Sequence, residues 1–345
     1  MWALNNTTPF ACERSWVRDT DGAEVWLVAV RATYDILADG TTELSPDQPN
    51  PLLSPKYAGD PARSSLLYDS DLVNKKISTD VLVHGHAHAP NGEPITQIDA
   101  TIKVGPIRKT LRIYGNRRWD QGFAGLRLSP PERFVQMPIV YERAFGGVDQ
   151  SVENQENIQC EKRNPVGMGF AVDARHLVGQ LVPNIENAAR LIQGWDDRPQ
   201  PAGFGPIPGH WLPRAKYAGT YDAAWVRDSH PLLPSDFDDR FYNCAPADQQ
   251  CPRFLRGGEP VELQNLTSGG GALRLNLPRT SIGFRTHFGS RTAHHKATLH
   301  TVILEPDFPR ISLVWHTRLC CHHDVLNLRN TTVYEKRILG MQEGS

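Results

Sequence analysis

Cysteine and lysine are scarce in this chain, no apolar run is long, and neither sign of charge is in excess. Six cysteines, at positions 12, 160, 244, 251, 320 and 321 of 345 residues, are too few and too scattered for the disulfide framework of a small secreted domain. The opening residues Met1-Trp2-Ala3-Leu4-Asn5-Asn6-Thr7-Thr8 hold no basic segment followed by an apolar one. The longest apolar run, Val25 to Val30, falls far short of the roughly 18 residues that cross a bilayer. A cytoplasmic protein in a reducing compartment, without a membrane partner, is expected. With 37 Lys+Arg against 38 Asp+Glu and a formal net charge of -1, no basic field exists to hold a nucleic-acid backbone. The basic residues are 28 arginines and 9 lysines, a bias that favours planar, bidentate pairing within the fold or at a protein partner and that a GC-rich genome also produces.

What is present is enough to fold. The chain is 39% hydrophobic and 22% charged, far from the signature of disorder, and its length suits two domains or one large one. Glycine (28) and proline (27) are spread through the chain and leave little room for long helices.

Strand periodicity is clear in three places. In residues 25–37 the positions Trp26, Val28, Val30, Ala32, Tyr34 and Ile36 share one parity and are all apolar, which predicts a strand with one buried face. Ile98, Ala100, Ile102 and Val104, then Gly105-Pro106, then Ile107, Lys109, Leu111 and Ile113 predict an antiparallel hairpin. His300–Leu304 and Ile311–Leu319 flank Glu305-Pro-Asp-Phe-Pro-Arg310 and predict a second. Helical signals are few. Thr220 is a candidate N-cap for 221–228, and Tyr217, Tyr221 and Trp225 fall four apart, a stripe whose simplest reading is core packing. A short helix is also expected over 184–193. The fold class is therefore mainly β: antiparallel sheets packed as sandwich or barrel-like domains, with few short helices and Pro/Gly-rich loops. The polar, aperiodic stretch Asp149–Asn164 reads as a surface loop or junction (150–164) between an N-terminal β domain, 1–150, and a C-terminal β-rich domain, 165–345.

No G-x-S-x-G elbow, Walker A loop, H-E-x-x-H motif or helix-opening G-x-G-x-x-G occurs. The strongest chemical lead is His84-Gly85-His86-Ala87-His88. Alternate residues of a strand lie about 7 Å apart on one face, a spacing at which His84, His86 and His88 could share a metal. Cys320-Cys321-His322-His323 and His294-His295 are further possible ligands. The plainer reading leaves the three histidines at solvent or at an interface, titrating near neutral pH. Asp236-Phe-Asp-Asp239 reads as a solvated turn, and Pro201-Ala-Gly-Phe-Gly-Pro-Ile-Pro-Gly209 as a rigid loop holding Phe204 and Ile207. Gly146-Gly147 and Gly203 to Gly205 read as positions of positive φ or close backbone approach.

A series of phrases in order carries a resemblance over nearly the whole chain: Thr8-Pro-Phe10, Ser64-Ser-Leu66, Ala87-His-Ala-Pro90, Tyr141-Glu-Arg-Ala-Phe-Gly-Gly-Val-Asp149 and Asn164-Pro-Val-Gly-Met-Gly169. Pro183-Asn-Ile-Glu186, Pro201–Pro206, Tyr217-Ala-Gly-Thr-Tyr-Asp222 with Trp225, Asp236-Phe-Asp238, Ala245-Pro-Ala-Asp-Gln249 and Gly257-Gly-Glu-Pro-Val261 continue it. The chain resembles the bacterial adaptor, or chaperone, proteins of type VI secretion, encoded beside VgrG spike and PAAR-like effector genes. The resemblance implies a non-enzymatic protein without cofactor. It would bind a cognate, PAAR-like effector in the cytoplasm and assist its loading onto the spike, with VgrG as a possible second partner. The residues expected to touch a partner are Glu142, Arg143, Phe145 and Asp149, beside the polar loop, together with Phe204, Tyr217, Tyr221 and Trp225. His84 and His86 depart from the pattern, standing where smaller or apolar residues are expected. The alternative reading is a metal-dependent enzyme, conceivably a hydrolase, built on the His84, His86 and His88 face.

Overall fold

The computed structural model describes residues 2–123, 125–149 and 158–336. Strands dominate, and the described residues contain two short α-helices, Leu212–Ala215 and Ala223–Asp228. Three open sheets carry most of the strand residues, and none closes into a barrel among the described residues.

The largest sheet is built on the strand Glu24–Ile36. It pairs antiparallel with Ala11–Arg18 on one side and with Arg310–His322 on the other. Thr298–Glu305 follows as the antiparallel partner of Arg310–His322, and Asp80–Val83 then adds in parallel. The second sheet runs in the order Ile185–Asn187, Ile107–Tyr114, Gln97–Val104, Pro260–Gln264, Ala272–Asn276, antiparallel throughout. The third joins the chain ends: Ala3–Asn6 lies parallel to Leu328–Glu335, followed by Ile282–Phe288 and Arg291–Lys296. Both expected hairpins form, the first turning at Gly105, whose φ is +53°.

Alternation explains the core. Trp26, Val28, Val30 and Ala32 from the first sheet meet Ile102, Val104, Leu111, Ile113 and Leu263 from the second and Phe284, Leu328 and Val333 from the third in one continuous apolar cluster. Two of its aromatics have their polar tips satisfied across the layers: the Trp26 indole donates to Thr331 Oγ1 at 2.9 Å, and the Tyr34 hydroxyl lies 2.7 Å from Thr280 Oγ1.

Several expectations change. The strand 24–36 is buried on both faces, because Leu72 packs beneath Val25, Leu27 and Ala29, and Arg31 pairs with Asp71 on that same side. The halves 1–150 and 165–345 interleave: strands from either side of the polar segment share all three sheets and one core. Residues 150–157 of that segment lie outside the described residues. Its end is not a solvated loop, since Asn164 is buried and donates to the carbonyls of Tyr141 (2.8 Å) and Phe145 (3.0 Å). The helix expected over 184–193 is replaced by the short strand Ile185–Asn187. Ile185 pairs with Ile113, and the carboxylate of buried Glu186 accepts from Arg117 and from the Ile192 amide. A buried ion pair and a sheet edge thus outweigh a weak helical period.

Candidate functional site

The inward face of Ile107–Tyr114 holds one anomaly. Ile107, Leu111 and Ile113 are buried as their parity demands, and so is Lys109, 7% exposed. A buried ammonium needs partners. Its Nζ donates to Asp248 Oδ1 (2.9 Å) and Gln249 Oε1 (2.8 Å). Gln249 is fully buried in turn, and its Nε2 donates to the carbonyls of Val81 (2.8 Å) and Phe204 (2.9 Å). The turn Ala245–Gln249 is therefore bolted to the sheet and to the Pro201–Gly209 loop through one amide. Burial pushes the Lys109 amine below its ordinary range, against the pull of Asp248.

Lys109 lies at the wall of a cavity of about 400 Å3, whose other walls include Tyr141, Ala202, Ile207, Tyr217 and Arg240. The walls are rigid. Tyr141 is buried edge-on to Trp211, with ring centroids 5.5 Å apart, and its hydroxyl donates to the Gly205 carbonyl at 3.2 Å. Glycine is required beside it, because a Cβ on Gly203 would stand 2.9 Å from the Tyr141 ring. Phe204 is fully buried beneath, its ring centroid 6.0 Å from Lys109 Nζ. Arg214, 6% exposed, donates to Asp69 Oδ2 (2.7 Å) and to the carbonyls of Ile207 (2.7 Å) and Phe241 (3.0 Å). At the mouth, the Arg240 guanidinium lies 4.3 Å and Lys216 Nζ 4.8 Å from the Tyr217 ring centroid.

From this rim the chain makes an excursion, residues 217–238, tied at its base by the Asp238 amide donating to the Tyr217 carbonyl (3.0 Å) and by Thr220 donating to both oxygens of Asp236 (2.9 and 2.8 Å). It carries the helix Ala223–Asp228, capped by Asp222, whose Oδ1 accepts from the Trp225 amide at 2.8 Å. Thr220 is therefore not the cap. The helix has no buried residue. Tyr221 is 54% and Val226 62% exposed, and half-buried Trp225 stacks edge-on to Tyr221 at 4.7 Å. Core packing is thus overturned for Tyr221, whereas half-buried Trp225 packs within the excursion, its indole donating to the Leu232 carbonyl at 2.9 Å and its ring edge-on to His230 at 5.2 Å.

The phrase at 141–149 is placed differently. Glu142 accepts from the amide and hydroxyl of Ser65 (2.8 and 3.0 Å), and Arg143 donates to Asn184 Oδ1 (3.0 Å). Phe145 is buried in a small satellite core, and Asp149, 2% exposed, accepts from the Val172 amide (2.9 Å) and lies 2.8 Å from His176 Nδ1. Gly146 and Gly147, both at positive φ, approach the carbonyls of Asn164 and Gly167, where a Cβ would sit at 2.2 and 2.3 Å. All four side chains are thus engaged with the protein's own chain, whereas Tyr221 is exposed, Tyr217 and Trp225 are half-buried and Phe204 is fully buried.

The three histidines do not share a face. The strand breaks at His84-Gly85, which turns His84 against Tyr68, with ring centroids 4.9 Å apart. Burial pushes its pKa down to about 4. His86 Nδ1 and His88 Nε2 instead converge on the two oxygens of Asp307, each at 2.7 Å. Among the described residues no three His, Cys, Asp or Glu side chains are disposed to hold a metal ion, and the Cys320–His323 and His294-His295 groups do not join this one.

Sequence reasoning missed Lys109, although its signal was present: a lysine on the apolar parity of a strand. No helix among the described residues is long and apolar enough to cross a membrane. Neither a curated protein nor a solved structure matches the chain. Residues 21–316, a span that contains the cavity and the excursion, match a family described as an uncharacterized protein conserved in bacteria (DUF2169), and the chain belongs to that family.

Proposed function

We propose that this protein is an effector adaptor of type VI secretion: a non-enzymatic binding protein that holds a cognate PAAR-like effector in the cytoplasm and assists its loading onto the VgrG spike. The observation that carries the reading is the excursion 217–238, a helix with no buried residue that offers Tyr221 and Val226 to solvent, backed by half-buried Trp225, beside a cation-rimmed cavity. A fold that expends a segment on holding apolar side chains outward has the form of a docking surface, and aromatic side chains backed by arginine are the residue types that dominate interface energetics. In this reading Tyr221 and Val226 seat against an apolar patch of the effector, while Arg240 and Lys216 at the cavity mouth meet polar or acidic groups around it. The ordered phrases quoted above supply the secretion context, and many of them line this one region: Tyr141, Pro201–Pro206, Tyr217–Asp222 and Ala245–Gln249.

The test is co-expression of the tagged chain with the effector and spike proteins encoded nearest to its gene, followed by affinity capture and size-exclusion chromatography. The effector is expected to co-elute in a stable complex. A folded, monodisperse chain that captures none of these proteins overturns the adaptor reading.

A further inference from the structure

A second cavity, of about 550 Å3, opens where residues of the first and third sheets meet the segment 253–257. Its lining holds five cations, Arg253, Arg256, Arg279, Lys296 and Lys336 among them all, and no carboxylate. They come from four separate stretches of chain, so the fold and not a basic run in the sequence assembles them. Among the described residues none of the five side chains makes an ion pair or a hydrogen bond, although most other arginines of the protein are paired. Glu259 borders the segment without lining the cavity: its Oε1 accepts from the Arg256 backbone amide at 2.8 Å, and its Oε2 is buried with no partner among the described residues.

The floor is apolar, formed by Phe254, Leu255, Ile282, Leu299 and Trp315. It contains one further irregularity. Trp315 is 5% exposed, and its indole Nε1 is buried with no hydrogen-bond acceptor among the described residues. A buried donor without an acceptor costs free energy, and a ligand acceptor that reached it would recover part of that cost. The backbone is also shaped around the rim. Gly258, at φ +87°, adopts a conformation that favours glycine, and the Arg279 side chain lies over it, with Nε 2.2 Å from where a Cβ would be.

We propose that this cavity binds an organic anion: a phosphate or carboxylate group carried on an apolar or aromatic body. The anionic group sits among Arg256, Arg279, Lys296 and Lys336, where guanidinium forks and ammonium groups supply charge-assisted donors. The body lies over Phe254 and Trp315, and an acceptor atom of the ligand takes the free indole N–H. The charges of the lining are all of one sign, and an anion among them lowers their mutual repulsion. The site is separate from the docking surface and does not depend on the adaptor reading.

Isothermal titration of the full chain at fixed low salt, with phenyl phosphate, phenylacetate and inorganic phosphate as probes, tests the proposal. One saturable site per chain is expected, with at least one of the two aromatic anions binding ten-fold or more tighter than inorganic phosphate; which of the two binds identifies the anionic group. The double substitution Arg279→Ala and Lys296→Ala removes exposed side chains and is expected to weaken binding at least ten-fold with an unchanged melting temperature. Trp315→Phe, which keeps the ring and removes the donor, is expected to weaken it several-fold. The absence of saturable binding by both aromatic anions, or binding that the double variant leaves unchanged, overturns the site.

Discussion

Lowering the pH from 7 to 5 should destabilise this protein through histidines that the fold keeps neutral, and His316 makes the case quantitative. The hairpin of Thr298–Glu305 with Arg310–His322 carries a bulge at His300, the extra residue between Leu299 and Thr301. The bulge turns His300 onto His316, and the two rings stack with centroids 4.4 Å apart. Both are buried, at 4% and 1% exposure, with His300 Nδ1 and His316 Nε2 lacking partners among the described residues. Burial, with Lys76 and Arg318 nearby, pushes the His316 pKa down to about 3, and burial with the His316 ring pushes His300 well below its ordinary value. A group whose folded pKa is depressed below an unfolded value of 6.5 binds its proton more readily in the unfolded chain. Stability is therefore full above pH 6.5 and is lost as the pH falls towards the folded pKa. Linkage gives about 2 kcal/mol of lost stability for His316 alone between pH 7 and pH 5. Urea unfolding at the two pH values, on the wild type and on His316→Leu, isolates that share. The wild type should lose about 2 kcal/mol more than the variant over this interval. An equal loss in the two proteins would refute the claim that His316 is held neutral by burial.

Three further outcomes follow from the packing. Gln249→Ala leaves Lys109 and the carbonyls of Val81 and Phe204 without a shared partner and should cost about 3 kcal/mol in denaturant unfolding. Gly147→Ala places a methyl group 2.3 Å from the Gly167 carbonyl oxygen at a φ of +93°; a loss of about 2 kcal/mol or more is expected, read as a lowered melting temperature. Val226→Asp alters an exposed position and should change unfolding free energy by no more than about 0.5 kcal/mol, while Tyr221→Ser gives up the edge-on contact to Trp225 and should cost about 1 kcal/mol. The same two substitutions should weaken effector binding by roughly 2 kcal/mol or more if these side chains anchor the interface.

The strands and hairpins were legible because alternation is local: Trp26 to Ile36, and Ile98 to Ile113 across Gly105, show their buried face in the order of their residues. Lys109 was equally visible as a charge on an apolar parity, and only the fold shows that Asp248 and Gln249 satisfy it. The 184–193 segment misled because Ile185, Ala188, Ala189 and Ile192 fit a helical face, while the partner that decides the matter, Arg117, lies 69 residues from Glu186. The His84, His86 and His88 spacing predicts one face only if the strand is continuous, and Gly85 interrupts it. Tyr217, Tyr221 and Trp225 have the spacing of a core stripe, yet the hydrogen bonds of Thr220 and Asp238 fold the segment outward. The second cavity could not be read at all, since Arg253, Arg279, Lys296 and Lys336 meet only in three dimensions.

The most direct test of the adaptor account is the affinity of the purified chain for the PAAR-like effector encoded nearest to its gene, measured for the wild type and for the double variant Tyr221→Ser and Val226→Asp. A stable one-site complex is predicted for the wild type and at least a thirty-fold weaker one for the variant, with the variant still folded and less stable by no more than about 1.5 kcal/mol. Equal affinity in the two proteins would contradict the assignment of the excursion 217–238 as the docking surface, and no complex with either would contradict the adaptor role itself.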